Sequence, residues 1–276
     1  MPRVRFSLRR TRDPEGRMSL ADHLRELRRR TVVSILAIVA GSVLGALRYK
    51  PLYDEITRPV RELAATKRDS AIASVNFSGL TDSFSVFVAV SLFVGVVLAS
   101  PVWLYQIWAF ILPGLTRREK RISLAFSTAG VPLFLAGCSL AYLVLPRAVD
   151  ALLSFTPDSA SNLLASDGYL SFVLKFILAF GLAFLLPVFL VGLNAVRVLP
   201  GRVMLKGWRV AVFLCFLFTA VMTPTPDPWT MILMAIPMIG LFFLAVGVAL
   251  LADRRRAARA ADAPWAGLAD GQASPL

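Results

Sequence analysis

Charge is scarce in this chain: Asp, Glu, Lys and Arg make up only 17% of its 276 residues, against 57% that are hydrophobic. A soluble domain of this size has too little interior to hide so much apolar surface, so an ordinary soluble fold is excluded. Cysteine is nearly absent. Cys138 and Cys215 both fall in apolar runs, where a thiol behaves as a small hydrophobe, and neither suggests a disulfide or a metal site. Walker-type phosphate loops, HExxH and CxxC are missing, which removes sequence support for ATP hydrolysis and metal catalysis. No hydrolase or redox constellation can be assembled, so catalytic residues, cofactors and bond-making activity are not expected.

What the chain has instead is long apolar runs, with a mean hydropathy of +0.68. About 20 residues are needed to cross roughly 30 Å of hydrocarbon, and unpaired backbone groups force those residues into helices. The runs fall at about residues 31–47, 84–108, 122–145, 169–193, 210–222 and from 228 to near 251. These predict an all-α membrane protein with six transmembrane helices. The first run, flanked by arginines and far from any small-residue cleavage site, reads as a retained helix rather than a removable leader. Pro101, Pro132 and Pro187 predict kinks. The polar stretch 48–82 reads as an external loop with short helical pieces, Gly41 and Gly45 have the spacing of a close helix contact, and Trp103, Tyr105 and Trp108 read as an interfacial aromatic belt. Short fifth and sixth spans predict a locally thinned bilayer.

The formal net charge of +13 would suit nucleic acid only if it formed a basic face on a soluble fold. It does not. Of the 30 lysines and arginines, 22 fall on the side of the N-terminus, seven on the opposite side, and Lys175 lies inside the fourth run. By the positive-inside rule both termini are expected in the cytoplasm. The organisation read from this pattern is a basic tail over 1–17, a membrane domain over 18–251 and a cytoplasmic, disordered tail over 252–276.

Three segments carry a resemblance. They are His23-Leu24-Arg25-Glu26-Leu27-Arg28-Arg29-Arg30; Pro101 through Tyr105-Gln106-Ile107-Trp108-Ala109-Phe110-Ile111-Leu112-Pro113-Gly114-Leu115 to Glu119; and Thr223 through Asp227 to Ala235-Ile236-Pro237-Met238. Together with Tyr169-Leu170-Ser171-Phe172 and Phe180-Gly181-Leu182-Ala183-Phe184, they resemble the TatC family, the integral receptor subunit of the twin-arginine protein translocase. The resemblance runs from about residue 18 to 251. It implies a kinked, concave, glove-like bundle in the bacterial cell membrane that binds the twin-arginine signal peptides of folded precursors. It also implies export driven by the proton gradient, small single-span TatA/TatB-type partners, contact with membrane lipids and assembly as a homo-oligomer within a larger complex.

In that family acidic residues recognise the paired arginines, and they correspond here to Glu26 and Glu119. A guanidinium prefers two-pronged pairing with carboxylate, which lysine cannot reproduce. Phe110, Arg28 and Gln106 correspond to supporting residues of the same site, and Thr223, Asp227 and Pro101 to partner or structural positions. The plainer readings stand beside these: Glu26 could pair with Arg29 or Arg30 at helical spacing, and the basic neighbours of Glu119 could solvate it. The chain departs from the family at Leu185, where a glutamate is usual, and at Met231, where a polar residue is expected. A small-solute transporter or channel and a TatC-like scaffold remain as alternatives, although the apolar spans hold almost no charge to line an ion path.

Overall fold

The computed structural model describes residues 20–66, 75–77, 79–111, 117–154, 164–222 and 228–261. Helices α1 (Leu20–Leu47) and α2 (Tyr49–Thr66) are followed by α3 (Asp82–Leu98) and α4 (Ser100–Ile111), then by α5 (Arg117–Leu153). Next come α6 (Ser166–Ala183), α7 (Leu186–Ala195), α8 (Gly201–Lys206), α9 (Trp208–Met222) and α10 (Pro228–Ala261). Two-residue strands β1 (Val75–Asn76) and β2 (Leu164–Ala165) pair in parallel and tie the α2–α3 connection to the α5–α6 connection. Four elements are long and apolar enough to span a bilayer, α3 with α4 forms a fifth across a 59° bend, and α9 is a shorter apolar helix. These make the six spans expected from the sequence.

Glycine sets the tightest helix contact. α1 lies against α3 so closely that a Cβ on Gly41 would sit 3.0 Å from the Gly95 carbonyl oxygen, and one on Gly45 would sit 2.9 Å from that of Ser91. A Cβ on Gly95 would meet Ser42 Oγ at 2.1 Å. Apolar side chains gain little by leaving lipid for a helix partner, so close backbone approach is what holds such helices together. The central core is built mainly by α3, α4, α5 and α6 around Val90, Leu104, Phe134, Leu145, Leu170 and Phe180, all buried.

Side chains lie at two of the proline positions, in α4 and in α2. Pro101 has no N–H to offer the Val97 carbonyl one turn before it, and the chain bends at Ala99; beside that position the Trp103 indole N–H donates to the Val96 carbonyl at 2.9 Å. Pro59 lies inside α2 and leaves the Glu55 carbonyl without its helical donor. The Tyr142 hydroxyl stands 3.3 Å from that carbonyl and 2.8 Å from the Glu55 carboxylate, and can donate to either. Tyr169 adds a buried bond to the Ile56 carbonyl at 3.1 Å.

Several expectations need correction. The stretch after the first span is one 18-residue helix, α2, rather than short pieces; its buried Ile56, Thr57 and Val60 face the core while Asp54, Glu55, Arg58 and Arg61 face out, a one-sided pattern that favours continuous helix. Helix α5 continues through Pro146 to Leu153. The fourth span is divided at Phe184-Leu185, just before Pro187. The fifth span is short, with 15 residues rising only about 22 Å, but the sixth is not: α10 has 34 residues. That helix runs through 252–261, because alanine and arginine are strong helix formers; hydropathy located the end of the apolar surface and not the end of the helix. The remaining tail, 262–276, lies outside the described residues. Trp103 and Trp108 are buried rather than interfacial, at 9% and 1% exposure, because the bend at Ala99 turns α4 into the bundle.

Gly95→Val is expected to force α1 off α3 at a cost of about 1–3 kcal/mol, the range for overpacking; a lowered thermal-unfolding midpoint of the detergent-solubilised protein checks it. Tyr142→Phe is expected to cost about 0.5–1.5 kcal/mol and to loosen α2 specifically, read as faster amide hydrogen exchange around residues 55–60 with the other helices unchanged.

Candidate functional site

Residues three and four apart share a helix face, and two such stripes meet at the N-terminal end of α1. On α1 the stripe is His23, Glu26 and Arg30; on α4 it is Gln106 and Phe110. The His23 and Phe110 rings stack with centroids 4.6 Å apart and 25° between planes. Arg30 Nη1 donates to Gln106 Oε1 at 3.2 Å, and Arg30 Nη2 pairs with Glu26 Oε1 at 2.5 Å. One buried guanidinium therefore fastens α1 to α4 and holds the Glu26 carboxylate in a fixed direction.

Exposure separates the two partners. The Arg30 side chain is 10% exposed and that of Glu26 31%. Arg30 is thus closed to a ligand, while Glu26 presents carboxylate outward. A carboxylate has about four acceptor positions on two oxygens, so the bond to Arg30 on Oε1 leaves Oε2 for a second cation. Half-buried Phe110 adds an aromatic face close by, which favours a guanidinium approaching the carboxylate. Asp22, one turn before Glu26, bonds Arg25 at 3.5 Å on the exposed side of α1.

Helix α4 is held in register from behind. Buried Trp108 stacks on Phe126 (4.7 Å) and Phe189 (4.9 Å), and its ring edge fills the place of a Gly192 side chain, 2.2 Å from where a Cβ would be. Its indole nitrogen has no hydrogen-bond partner among the described residues. The contact exists only because residue 192 is glycine, and it fixes the rotation of α4 that aims Gln106 and Phe110 at α1.

The sequence-derived candidates separate as follows. Glu26, Gln106 and Phe110 come together. Arg28 is exposed and, two residues from Glu26, lies about 200° around the helix, away from this contact. Glu119 is in the first turn of α5, and its side chain lies outside the described residues, as do Thr223 and Asp227. Pro101 lies at the bend that orients α4. Leu185 is 2% exposed and packs on Gly130, a Cβ there being 3.4 Å from Leu185 Cδ2 and 3.6 Å from Leu104 Cδ1; the place where the family usually carries a carboxylate is filled by an apolar contact. Met231 is half-buried on α10. Two members of the cluster, His23 and Arg30, were not singled out from sequence. The four-residue spacing of Glu26 and Arg30 was the available signal for the pair, and nothing local marked Arg30 as the arginine that turns inward while the described Arg25, Arg28 and Arg29 stay exposed.

Comparison with known proteins gives a consistent result. The family model for TatC, the Sec-independent protein translocase protein, matches residues 22–237. A TatC from Xylanimonas cellulosilytica is 47% identical over 247 residues, covering 90% of this chain and 89% of its own; one from Aquifex aeolicus is 34% identical over 242 residues, covering 87% and 98%. A crystal structure of the twin-arginine translocase receptor TatC superimposes with a TM-score of 0.67 at 33% identity, covering 82% of this chain and 99% of that one. The family model spans most of the chain and the relatives cover nearly all of it, so the chain belongs to the TatC family of Sec-independent protein translocase proteins.

Proposed function

We propose that the α1–α4 contact is the place where this receptor reads paired arginines, with Glu26 and Glu119 as the two carboxylates that engage them. As a TatC protein the chain is a receptor component of the twin-arginine translocase, a multi-pass protein of the bacterial cytoplasmic membrane and not an enzyme. The observation that carries the residue-level reading is the outward-facing Glu26 carboxylate, held by buried Arg30 at a boundary otherwise crowded with cations. A lone carboxylate there would be neutralised by any neighbouring arginine. Because Arg30 occupies one oxygen from behind, the other stays directed outward.

In this reading the site lies on the cytoplasmic side together with both termini, which the distribution of lysine and arginine supports. A leader peptide brings two adjacent guanidinium groups. One pairs with Glu26 beside Phe110 and the other with Glu119, at about 1.5–3 kcal/mol for each charge-assisted contact. Arg30 and Gln106 are positioning residues that act through Glu26. Folded precursors are then exported with small single-span TatA/TatB-type subunits, driven by the proton gradient, in an assembly that holds several copies of this chain. Arg28 and its exposed neighbours serve the anionic lipid surface.

Glu26→Gln and Glu119→Gln are each expected to abolish export of a twin-arginine reporter without affecting membrane insertion, measured by reporter fractionation alongside immunoblots of the membrane; normal export by both variants overturns the assignment. Arg30→Lys keeps the charge but cannot bridge Glu26 and Gln106 together. It is expected to weaken binding of a twin-arginine peptide roughly tenfold, about 1.4 kcal/mol, and to have no additional effect in a Glu26→Gln background. Additive losses in that double variant, read by peptide crosslinking, would mean that Arg30 does not act through Glu26.

A further inference from the structure

On the same side of the bundle, well away from α4 in sequence, α7 ends in an unusual turn. The Val198 N–H donates to the Leu193 carbonyl and the Arg197 N–H to that of Asn194, both at 3.0 Å. This pair of bonds closes a helix when the residue between them is left-handed. That residue is Arg197, with φ of 63°, and among the described residues no other non-glycine has positive φ. Glycine fits such a position with no steric penalty, and arginine brings the backbone nothing.

Beside the turn lies a cavity of about 320 Å3 lined by Asn194, Arg197, Pro200, Asp253, Arg256 and Ala257. Its size is at the lower end of the range that holds organic ligands, about 300–1,000 Å3. One acid lines it, and that acid is fully engaged: Asp253 accepts from the Gly201 N–H at 2.7 Å, from Asn194 Nδ2 at 3.0 and 3.1 Å, and from Arg256 Nη1 at 3.2 Å. Arg256 Nη1 also donates to the Asn194 carbonyl at 2.9 Å. The network leaves Arg256 fixed in place with further N–H groups on its guanidinium, while Arg197 is exposed and has no ion pair or side-chain hydrogen bond among the described residues. Across 196–222 and 228–261 Asp253 is the sole acid, against eight lysines and arginines.

We propose that this cavity is a phosphate-binding site, with Arg197 and Arg256 as its two guanidinium contacts. Guanidinium groups meet phosphate oxygens in paired hydrogen bonds, and Asp253 serves to anchor Arg256 rather than to repel the ligand. The apolar stretch of α10 ends near Leu251, so Asp253 and Arg256 lie at the depth of lipid headgroups, where basic pockets between spans take up anionic lipid. A phospholipid headgroup is therefore the first source to test, with soluble phosphate as the other.

The full chain, purified in a neutral detergent, is titrated with phosphatidylglycerol, phosphatidylcholine or inorganic phosphate and followed by thermal unfolding and by lipid retention in native mass spectrometry. Phosphatidylglycerol is expected to raise the midpoint and to be retained over phosphatidylcholine; an equal rise with inorganic phosphate assigns the site to the soluble ion. Arg197→Gly relieves the turn, so its ligand-free midpoint is expected to equal or exceed that of the wild type while its phosphatidylglycerol retention falls roughly tenfold, the loss expected for one charge-assisted contact. Arg197→Asn, which also tolerates a left-handed backbone, is expected to behave in the same way. Retention unchanged in both variants, or no preference of the wild type for either phosphate source over phosphatidylcholine, overturns the proposal.

Discussion

Backbone N–H and C=O groups inside a bilayer must find partners within the protein, and the architecture of this chain depends on how that demand is met where helices break. The decisive case is the bend at Ala99. Pro101 removes a donor, the helix turns by 59°, and the Trp103 indole reaches back to the Val96 carbonyl. That bond gives a backbone carbonyl beside the bend a side-chain donor. Across the bend, α4 is redirected so that one face presses Trp108 into the core against Gly192 and the other presents Gln106 and Phe110 to α1. The opposite end of the bundle offers a second case, since the Tyr142 hydroxyl lies within reach of the Glu55 carbonyl that Pro59 leaves open.

The contact that results is polar where most of the bundle is apolar. A buried guanidinium is costly unless paired and hydrogen-bonded, and Arg30 is both, through Glu26 and Gln106. Its burial is what makes Glu26 different from the other acids on the surface. Asp54, Glu55 and Glu62 pair with arginines in which both partners are more than half exposed; such pairs contribute little and exchange freely with water. Glu26 is held by a partner that is itself buried, so its direction is fixed; in the proposed reading this reduces the ordering cost of binding.

Leu185 marks a different solution to the interior of the fourth span. The side chain closes against Gly130 and Leu104 in the central core, so the division between α6 and α7 is packed with hydrocarbon rather than organised around an ionisable group. An intramembrane carboxylate is expensive wherever it occurs. Here the break is supported instead by Pro187 at the start of α7 and by the fit of Phe184 against Gly137.

The number and order of the spans, the break beside Pro101 and the close contact at Gly41 and Gly45 were legible in the residues, because burial in lipid demands apolar length and a few local rules fix where helices bend. The kink expected at Pro132 is not among them, since α5 is continuous through it. Glu26, Gln106 and Phe110 were legible only through motif resemblance; composition offered no reason to prefer them. Local pattern could not give the inward turn of Arg30 among its neighbours, the single amphipathic helix at 49–66, the burial of Trp103 and Trp108, or the continuation of α10 past its apolar stretch. Each of these depends on which face of a helix meets another helix. The sequence by itself determined that the chain crosses the membrane as helices and where those helices weaken. The tertiary structure alone decided which polar side chains meet at those weak points, because a pairing such as Arg30 with Gln106 joins residues 76 positions apart and exists only once the helices between them have packed.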